Sequence, residues 1–174
     1  MFVSARHPGS LAEIARDAGV GGTAICSNGA TVFDLDTGRV VRERTLEPEI
    51  ATRLVAALRE RAPGVLFAVE RNAQMEFEPE FRAWDWQPPE GTRFADALEL
   101  VADPVARLIV RHAEYEQEVL AALVREVAGE SATVVIPGVW TVELSAVGVS
   151  KAAALAELCD ELGLGADDVI AFGD

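Results

Sequence analysis

The segment from Gly148 to Asp174 constrains the fold most, because its pattern predicts a helix followed by a buried strand. Four residues recur at the spacing of one buried helical face: Leu155, Leu158, Cys159 and Leu162. Ser150 is placed to cap this helix, and Gly163 to end it in a left-handed conformation. Residues 169–172 are continuously apolar, which is typical of a strand in a parallel sheet. Ligand sites in such sheets lie beyond the carboxyl ends of the strands, where Asp174 stands.

Composition excludes several classes of protein. A hydrophobic content of 50% over 174 residues supplies a core for one domain or two small ones, so disorder is not expected. The net charge of -14 argues against nucleic acid as a partner, because phosphate backbones are bound by clustered Lys and Arg. We expect neither a membrane span nor a signal peptide. Cys26 and Cys159 are more simply interpreted as buried thiols in the cytoplasm than as a disulfide.

The order of predicted elements indicates an α/β segment, an inserted α+β block, and a return to α/β. A helix begins at Pro8, and residues 31–44 carry the pattern of a hairpin. We therefore assign residues 1–45 and 146–174 to one domain and residues 46–145 to an inserted one. Such a block commonly forms a lid, since closure over a site excludes water and positions a substrate.

Four places carry groups suited to phosphate chemistry, each with a simpler alternative. Ser4 follows a strand and could bind a phosphoryl oxygen, although a helix-capping serine is more frequent. Lys151 begins a helix, where cations are disfavoured, but a solvated surface lysine is an equal alternative. Asp174 could hold Mg²⁺, which prefers oxygen ligands, or serve as an ordinary turn residue. The pair Asn28-Gly29 could line a phosphate site with its backbone, although hairpin turns use it more often.

Taken in order, these places resemble the motifs of the haloacid dehalogenase superfamily, specifically its Cof-type phosphatases with a large α/β cap. The matching stretches are residues 2–6 (FVSAR), 25–30 (ICSNGA), 148–151 (GVSK) and 169–174 (VIAFGD). The resemblance covers essentially the whole chain. It implies an α/β fold in which a partial Rossmann-like core carries an inserted α+β cap.

The resemblance also implies a reaction and a site. In this family an aspartate attacks a phosphate monoester, and water then hydrolyses the aspartyl-phosphate. Ser4 would hydrogen-bond the phosphoryl group, Lys151 would neutralise its charge, and Asp174 would bind Mg²⁺. The phosphate- and substrate-binding set would be Ser4, Ala5, Arg6, Asn28, Gly29 and Lys151. The implied substrate is a small phosphorylated metabolite, in particular a sugar phosphate.

A sugar ring could be held by four residues of the inserted block: Phe81, Arg82, Trp84 and Trp86. Aromatic residues more often pack into a core, and we favour that role for them.

The sequence departs from the family pattern in ways that bear on activity. The family's nucleophile lies in an Asp-x-Asp motif before the serine motif, and its metal motif continues past Gly-Asp; the sequence has residues for neither. The family usually has Gly where Ala5 stands. We therefore expect a phosphatase fragment that is inactive alone and self-associates through an exposed core sheet.

Two alternatives stay open beside the phosphatase fragment. The first is a non-catalytic small-molecule-binding protein that retains the cap fold. The second is a generic nucleotide-binding α/β domain, which is the weaker hypothesis because no Gly-rich phosphate loop follows a predicted strand.

Overall fold

The computed structural model describes residues 1–81, 88–138 and 140–173, which form two β-sheets with helices packed on them. One sheet has the order β1-β2-β3-β4, with strands Phe2–Val3, Thr23–Cys26, Thr31–Asp34 and Arg39–Glu43. The other has the order β6-β5-β7-β9-β8, with β5 Leu66–Arg71, β6 Gln74–Phe77, β7 Arg107–Arg111, β8 Thr133–Val135 and β9 Val142–Ser145. The helices are α1 Pro8–Asp17, α2 Pro48–Arg61, α3 Ala97–Leu100, α4 Gln117–Ala128 and α5 Lys151–Leu162.

The four-stranded sheet is mixed and is covered by a helix on each face. Strands β1 and β2 pair in parallel and are joined through α1, as a parallel connection requires. Successive side chains of β2 point to opposite faces. Cys26 packs in a cluster with Leu11 of α1, whereas its neighbour Ile25 packs with Ala154 and Leu158 of α5. This arrangement confirms the α/β character predicted for the two ends of the chain.

The five-stranded sheet is antiparallel and carries its helices on one face. Alternate residues of β5 and β7, such as Phe67 and Leu108, enter a large apolar cluster with residues of α2, α3 and α4. The intervening positions, including Glu70 and Arg107, belong to the opposite face. This sheet and its three helices all lie between Pro48 and Ser145, which confirms the predicted α+β insertion.

Local signals at the ends of α5 are confirmed. The Ser150 hydroxyl accepts a hydrogen bond from the Ala153 N–H at 3.0 Å, and Gly163 ends the helix with φ of 69°. The hairpin of β3 and β4 also forms as predicted. In the described part of the chain, the helices are too short or too polar to cross a membrane.

The predicted strand at residues 169–172 is wrong for the structure described. This segment has no regular secondary structure, and Ile170 and Phe172 are 80% and 94% exposed. A strand is stabilised by its ladder of hydrogen bonds, and none of the described strands pairs with this segment. The buried face predicted for α5 is also wrong at Leu162, which is 64% exposed because it lies at the helix end, beyond the part that packs on β2.

The mixture of aromatic, acidic and proline residues between positions 72 and 95 predicts a loop-rich segment, but Gln74–Phe77 form strand β6. Its four residues pair antiparallel with β5. Helix α3, which follows, was not predicted, because four residues are too few to show a helical period. Asp96 begins it by accepting a hydrogen bond from the Leu98 N–H at 2.9 Å.

Two leucines test these burial assignments. Leu58→Ala is expected to lower the free energy of unfolding by about 2–5 kcal/mol, because Leu58 is 0% exposed and the change leaves a cavity. Leu162→Ala makes the same chemical change at an exposed site and should cost less than about 1 kcal/mol. Urea unfolding followed by circular dichroism measures both. A large loss in the Leu162 variant would contradict the exposed position and restore the predicted buried face.

Hydrogen exchange tests the difference between the two sheets. We expect slow amide exchange in β5 and β7, which have a paired strand on each side, and fast exchange in β1, a two-residue edge strand. Mass spectrometry of exchanged peptides gives the comparison. Equally slow exchange in β1 and β7 would show that the edge is covered in solution.

Candidate functional site

Three separate segments of the chain meet at one end of the four-stranded sheet. Residues 4–6 follow β1, and residues 27–29 follow β2, so parallel pairing brings both to the same edge. The Ser27 N–H donates to the Arg6 carbonyl at 2.9 Å, and the Asn28 N–H donates to the Ser4 carbonyl at 3.1 Å. The third segment is the N-terminus of α5. The segments that carry Ser4, Asn28 and Lys151 are thus neighbours in space, although the roles of these residues stay a prediction.

Gly29 brings the turn into direct contact with α5. Its φ is +102°, and a Cβ atom built there would lie 2.2 Å from the Ser150 carbonyl oxygen and 3.0 Å from the Lys151 nitrogen. No side chain fits at such distances from backbone atoms. Glycine is therefore required for the turn to touch the start of the helix that carries Lys151.

The turn before Gly29 is strained. Ser27 and Asn28 have φ values of 54° and 58°, in the left-handed region that non-glycine residues seldom adopt. Such conformations persist where surrounding contacts hold them. Here the Ser27 and Asn28 N–H groups donate to carbonyl oxygens of residues 4–6. We expected the backbone of Asn28-Gly29 to line a phosphate site, but the Asn28 N–H is not available to an anion.

Ser4 does not cap a helix. Its Oγ accepts a hydrogen bond from the Arg6 N–H at 3.1 Å, which leaves the hydroxyl proton to be donated elsewhere. The N-cap of α1 is His7, whose Nδ1 accepts from the Gly9 N–H at 3.0 Å. The helix-capping alternative for Ser4, which is half-buried, is therefore wrong.

Lys151 is the first residue of α5 and is exposed. It is also the only lysine in the 174-residue sequence, since the other cationic side chains are arginines. The helix is held by packing against Ile25 and by two ion pairs, one from β4 (Arg42 with Glu161) and one from the residue after that strand (Arg44 with Glu157). The first-turn N–H groups of a helix lack intrahelical partners, so an anion held here would meet both amide dipoles and an ammonium group.

The other predicted residues fall into two groups. Arg6 is exposed beside Ala5, and Phe81 is 7% exposed, in a cluster with Phe77, so the core interpretation holds for it. Four candidates lie outside the described residues: Arg82, Trp84, Trp86 and Asp174. Among the described residues, no group of three or more His, Cys, Asp or Glu side chains could hold a metal ion.

A buried ion-pair network, which the sequence did not predict, lies against the same loops. Glu70, Arg107 and Glu143 are 0%, 4% and 7% exposed, and they come from β5, β7 and β9 of the five-stranded sheet. Arg107 donates to both carboxylates: from Nε to Glu70 Oε2 at 2.9 Å and from Nη1 to Glu143 Oε1 at 2.8 Å. We call these three residues the buried triad.

Each member of the buried triad also contacts a loop of the candidate site. The Ser27 hydroxyl donates to Glu70 Oε1 at 2.5 Å, and the Asn28 side-chain amide donates to Glu143 Oε2 at 3.2 Å. Arg107 Nη1 donates to the Ala5 carbonyl at 3.3 Å. The triad therefore joins the two sheets through the loops that hold the predicted site residues. Charged residues are seldom fully buried unless they are paired. The triad could not be predicted, because a single charged residue within a strand produces no periodic pattern in the sequence.

Burial and neighbouring charges both shift the pKa values of groups around this site. It raises the pKa of Glu143, although the Arg107 guanidinium opposes the shift. Burial alone would lower the pKa of Arg107, but the two carboxylates outweigh it and raise that pKa. Burial raises the pKa of the Cys26 thiol to about 12, so the thiol stays protonated and is not a nucleophile. Both cysteines are free, as predicted.

Comparison with known proteins assigns the class. The chain belongs to the haloacid dehalogenase-like hydrolases, since that family matches residues 1–174. No curated protein matches the sequence.

Solved structures of this class share the fold at low sequence identity. TM0651 from Thermotoga maritima has a TM-score of 0.77 at 17% identity, over 98% of this chain and 65% of that one. A haloacid dehalogenase-like hydrolase from Bacteroides thetaiotaomicron has a TM-score of 0.74 at 19% identity, over 99% and 67%. The subclass IIB sugar phosphatase BT4131 has a TM-score of 0.71 at 14% identity, over 96% and 64%. The chain thus spans about two thirds of the length of these structures.

Glycine substitutions test the contact between the turn and α5. Gly29→Ala is expected to lower the free energy of unfolding by about 3 kcal/mol, because it combines left-handed strain with a backbone clash. Gly38→Ala is the matched control: its φ is +68°, but nothing lies within 4 Å of the added methyl group, so about 1 kcal/mol is expected. Thermal or urea unfolding gives both values. Equal losses would show that the turn does not touch the helix.

Proposed function

We propose that this chain forms the phosphate-binding loops and the cap of a Mg²⁺-dependent phosphatase that acts on small phosphorylated metabolites. The observation that carries the proposal is the meeting of residues 4–6, residues 27–29 and the start of α5 beside a second sheet. Within the proposal, residues 46–145 are the cap, and residues 1–45 and 146–174 belong to the core. A cytoplasmic location is part of the same proposal, supported by the two free thiols.

The proposed roles use the chain's own side chains. Ser4 donates its free hydroxyl proton to a phosphoryl oxygen, and Lys151 neutralises the phosphoryl charge. The first-turn N–H groups of α5 add their dipoles. Arg6 is exposed in the first of these loops, and its positive charge attracts an incoming anion.

Magnesium enters the proposal through family membership. When bound, it would supply electrostatic stabilisation of the transferring phosphoryl group. The described residues do not by themselves form a ligand set for it, and Asp174 lies outside them. The roles of Ser4 and Lys151 therefore rest on hydrogen bonding and charge alone.

A sugar phosphate is the proposed substrate class. Support comes from the fold shared with the sugar phosphatase BT4131, which is similar over 96% of this chain. The alternative is a protein that binds a small phosphorylated molecule without hydrolysing it. Self-association through the outer edge of β1 also belongs to this proposal, because β1 lies at the end of its sheet.

The single lysine allows a direct test. Reductive methylation with ¹³C-formaldehyde retains the charge and labels only Lys151 and the amino terminus. Titration with inorganic phosphate is expected to shift the Lys151 signal saturably and to leave the amino-terminal signal in place. Ser4→Ala should weaken binding about tenfold by removing a hydrogen bond to a charged group, whereas Ser10→Ala, an exposed serine on α1, should not.

The outcomes separate the candidate functions. If the Lys151 signal does not respond to phosphate, both proposals are contradicted, the phosphatase and the protein that binds a phosphorylated molecule without hydrolysing it. Hydrolysis of para-nitrophenyl phosphate with Mg²⁺ is measured in the same samples, and its absence fits both the inactive fragment and the binding protein. Turnover that Lys151→Met abolishes would support the enzyme and overturn the expectation that these residues are inactive alone.

A further inference from the structure

We propose that the buried triad, Glu70, Arg107 and Glu143, is a positioning device that holds the strained Ser27–Asn28 turn for phosphate binding. The inference rests on the proposed function for the phosphate and adds residues to it that do not touch the phosphate themselves. It comes from the contacts of the triad with the loops.

Arg107 directs all three of its guanidinium nitrogens at the protein and uses four of its five N–H groups there. Each of its three guanidinium nitrogens donates to a protein oxygen: Nε and Nη2 to Glu70, and Nη1 to Glu143 and the Ala5 carbonyl. It is also 4% exposed. An arginine that bound substrate would need free donors and an accessible face, so this one acts on the loops.

The two carboxylates each hold one residue of the turn. Glu70 accepts from the Ser27 hydroxyl and Glu143 from the Asn28 amide, while Arg107 fixes both carboxylates from between them. These bonds act on the side chains of the two residues whose backbones are left-handed. Hydrogen bonds to charged acceptors are stronger than those between neutral groups, and these two oppose the strain of the two left-handed residues.

The consequence reaches Lys151 through Gly29. The turn touches the start of α5 at Gly29, with no room for a side chain. A turn that relaxed toward ordinary backbone angles would move against Ser150 or away from it. The triad therefore sets the spacing between residues 4–6 and the helix that carries Lys151, and with it the width of the phosphate site.

Glu143→Gln is the sharpest test, because it keeps the size of the side chain and removes only its charge. Glutamine has a single acceptor oxygen, which Arg107 takes, so the Asn28 amide must turn over to accept from the new amide group, and a bond to a carboxylate becomes a weaker bond between neutral groups. The matched control is Glu126→Gln, the same change at an exposed residue paired with Arg61. Inorganic phosphate is titrated against the methylated Lys151 signal, and amide exchange is read at Ser27 and Asn28.

We expect Glu143→Gln to weaken phosphate binding about tenfold, which corresponds to about 1.4 kcal/mol, and to speed exchange of the Asn28 amide. The control should change neither. If Glu143→Gln lowers the melting temperature but binds phosphate like the wild type when folded, the triad is only structural and the proposal is overturned.

A second variant covers the case in which Glu143→Gln does not fold. Asn28→Gly removes the amide that Glu143 holds, and glycine accepts a φ of 58° without strain, so folding is preserved. Weaker phosphate binding together with faster amide exchange at Ser27 supports the positioning role, and unchanged exchange or unchanged binding opposes it. If wild-type protein binds no phosphate, the proposed function fails, and the exchange rates still decide whether the triad holds the turn.

Discussion

A guanidinium group buried between two carboxylates is the interaction on which the arrangement of this protein depends. Charges removed from water cost several kcal/mol each unless they are paired and hydrogen-bonded, so the members of the buried triad must stay together. They come from three strands of one sheet and bond to loops of the other. Loss of Arg107 would leave two buried carboxylates without their cationic partner. The two sheets therefore meet in one way at this point, and the loops of the candidate site are fixed there.

The strained turn shows what this constraint achieves. Three consecutive residues, Ser27 to Gly29, have positive φ, and only the last is glycine. Left-handed backbone in serine and asparagine costs free energy that contacts elsewhere must offset. The turn gains close contact with both residues 4–6 and the start of α5. Stability and the geometry of the site are linked here, because the bonds that stabilise the turn also set its position.

Much of the local structure follows from the sequence alone. Ser150 and Gly163 predicted the ends of α5, and the residues around Asp36 predicted a hairpin, because caps and turns depend on neighbours a few positions away. The prediction of a strand at residues 169–172 was wrong, because an apolar run forms a strand only when a partner strand is available. The sequence pattern carries no information about that partner.

The sequence by itself determined the helix caps, the turns, the class of fold and the loops that carry Ser4, Asn28 and Lys151. Only the tertiary structure decided how those loops are held. Register in the antiparallel sheet places Glu70 opposite Arg107, although the two are 37 positions apart along the chain. An isolated charged residue in an apolar strand gives no sign of its partner. Pairing of distant charges is decided by strand register, which is a property of the folded sheet.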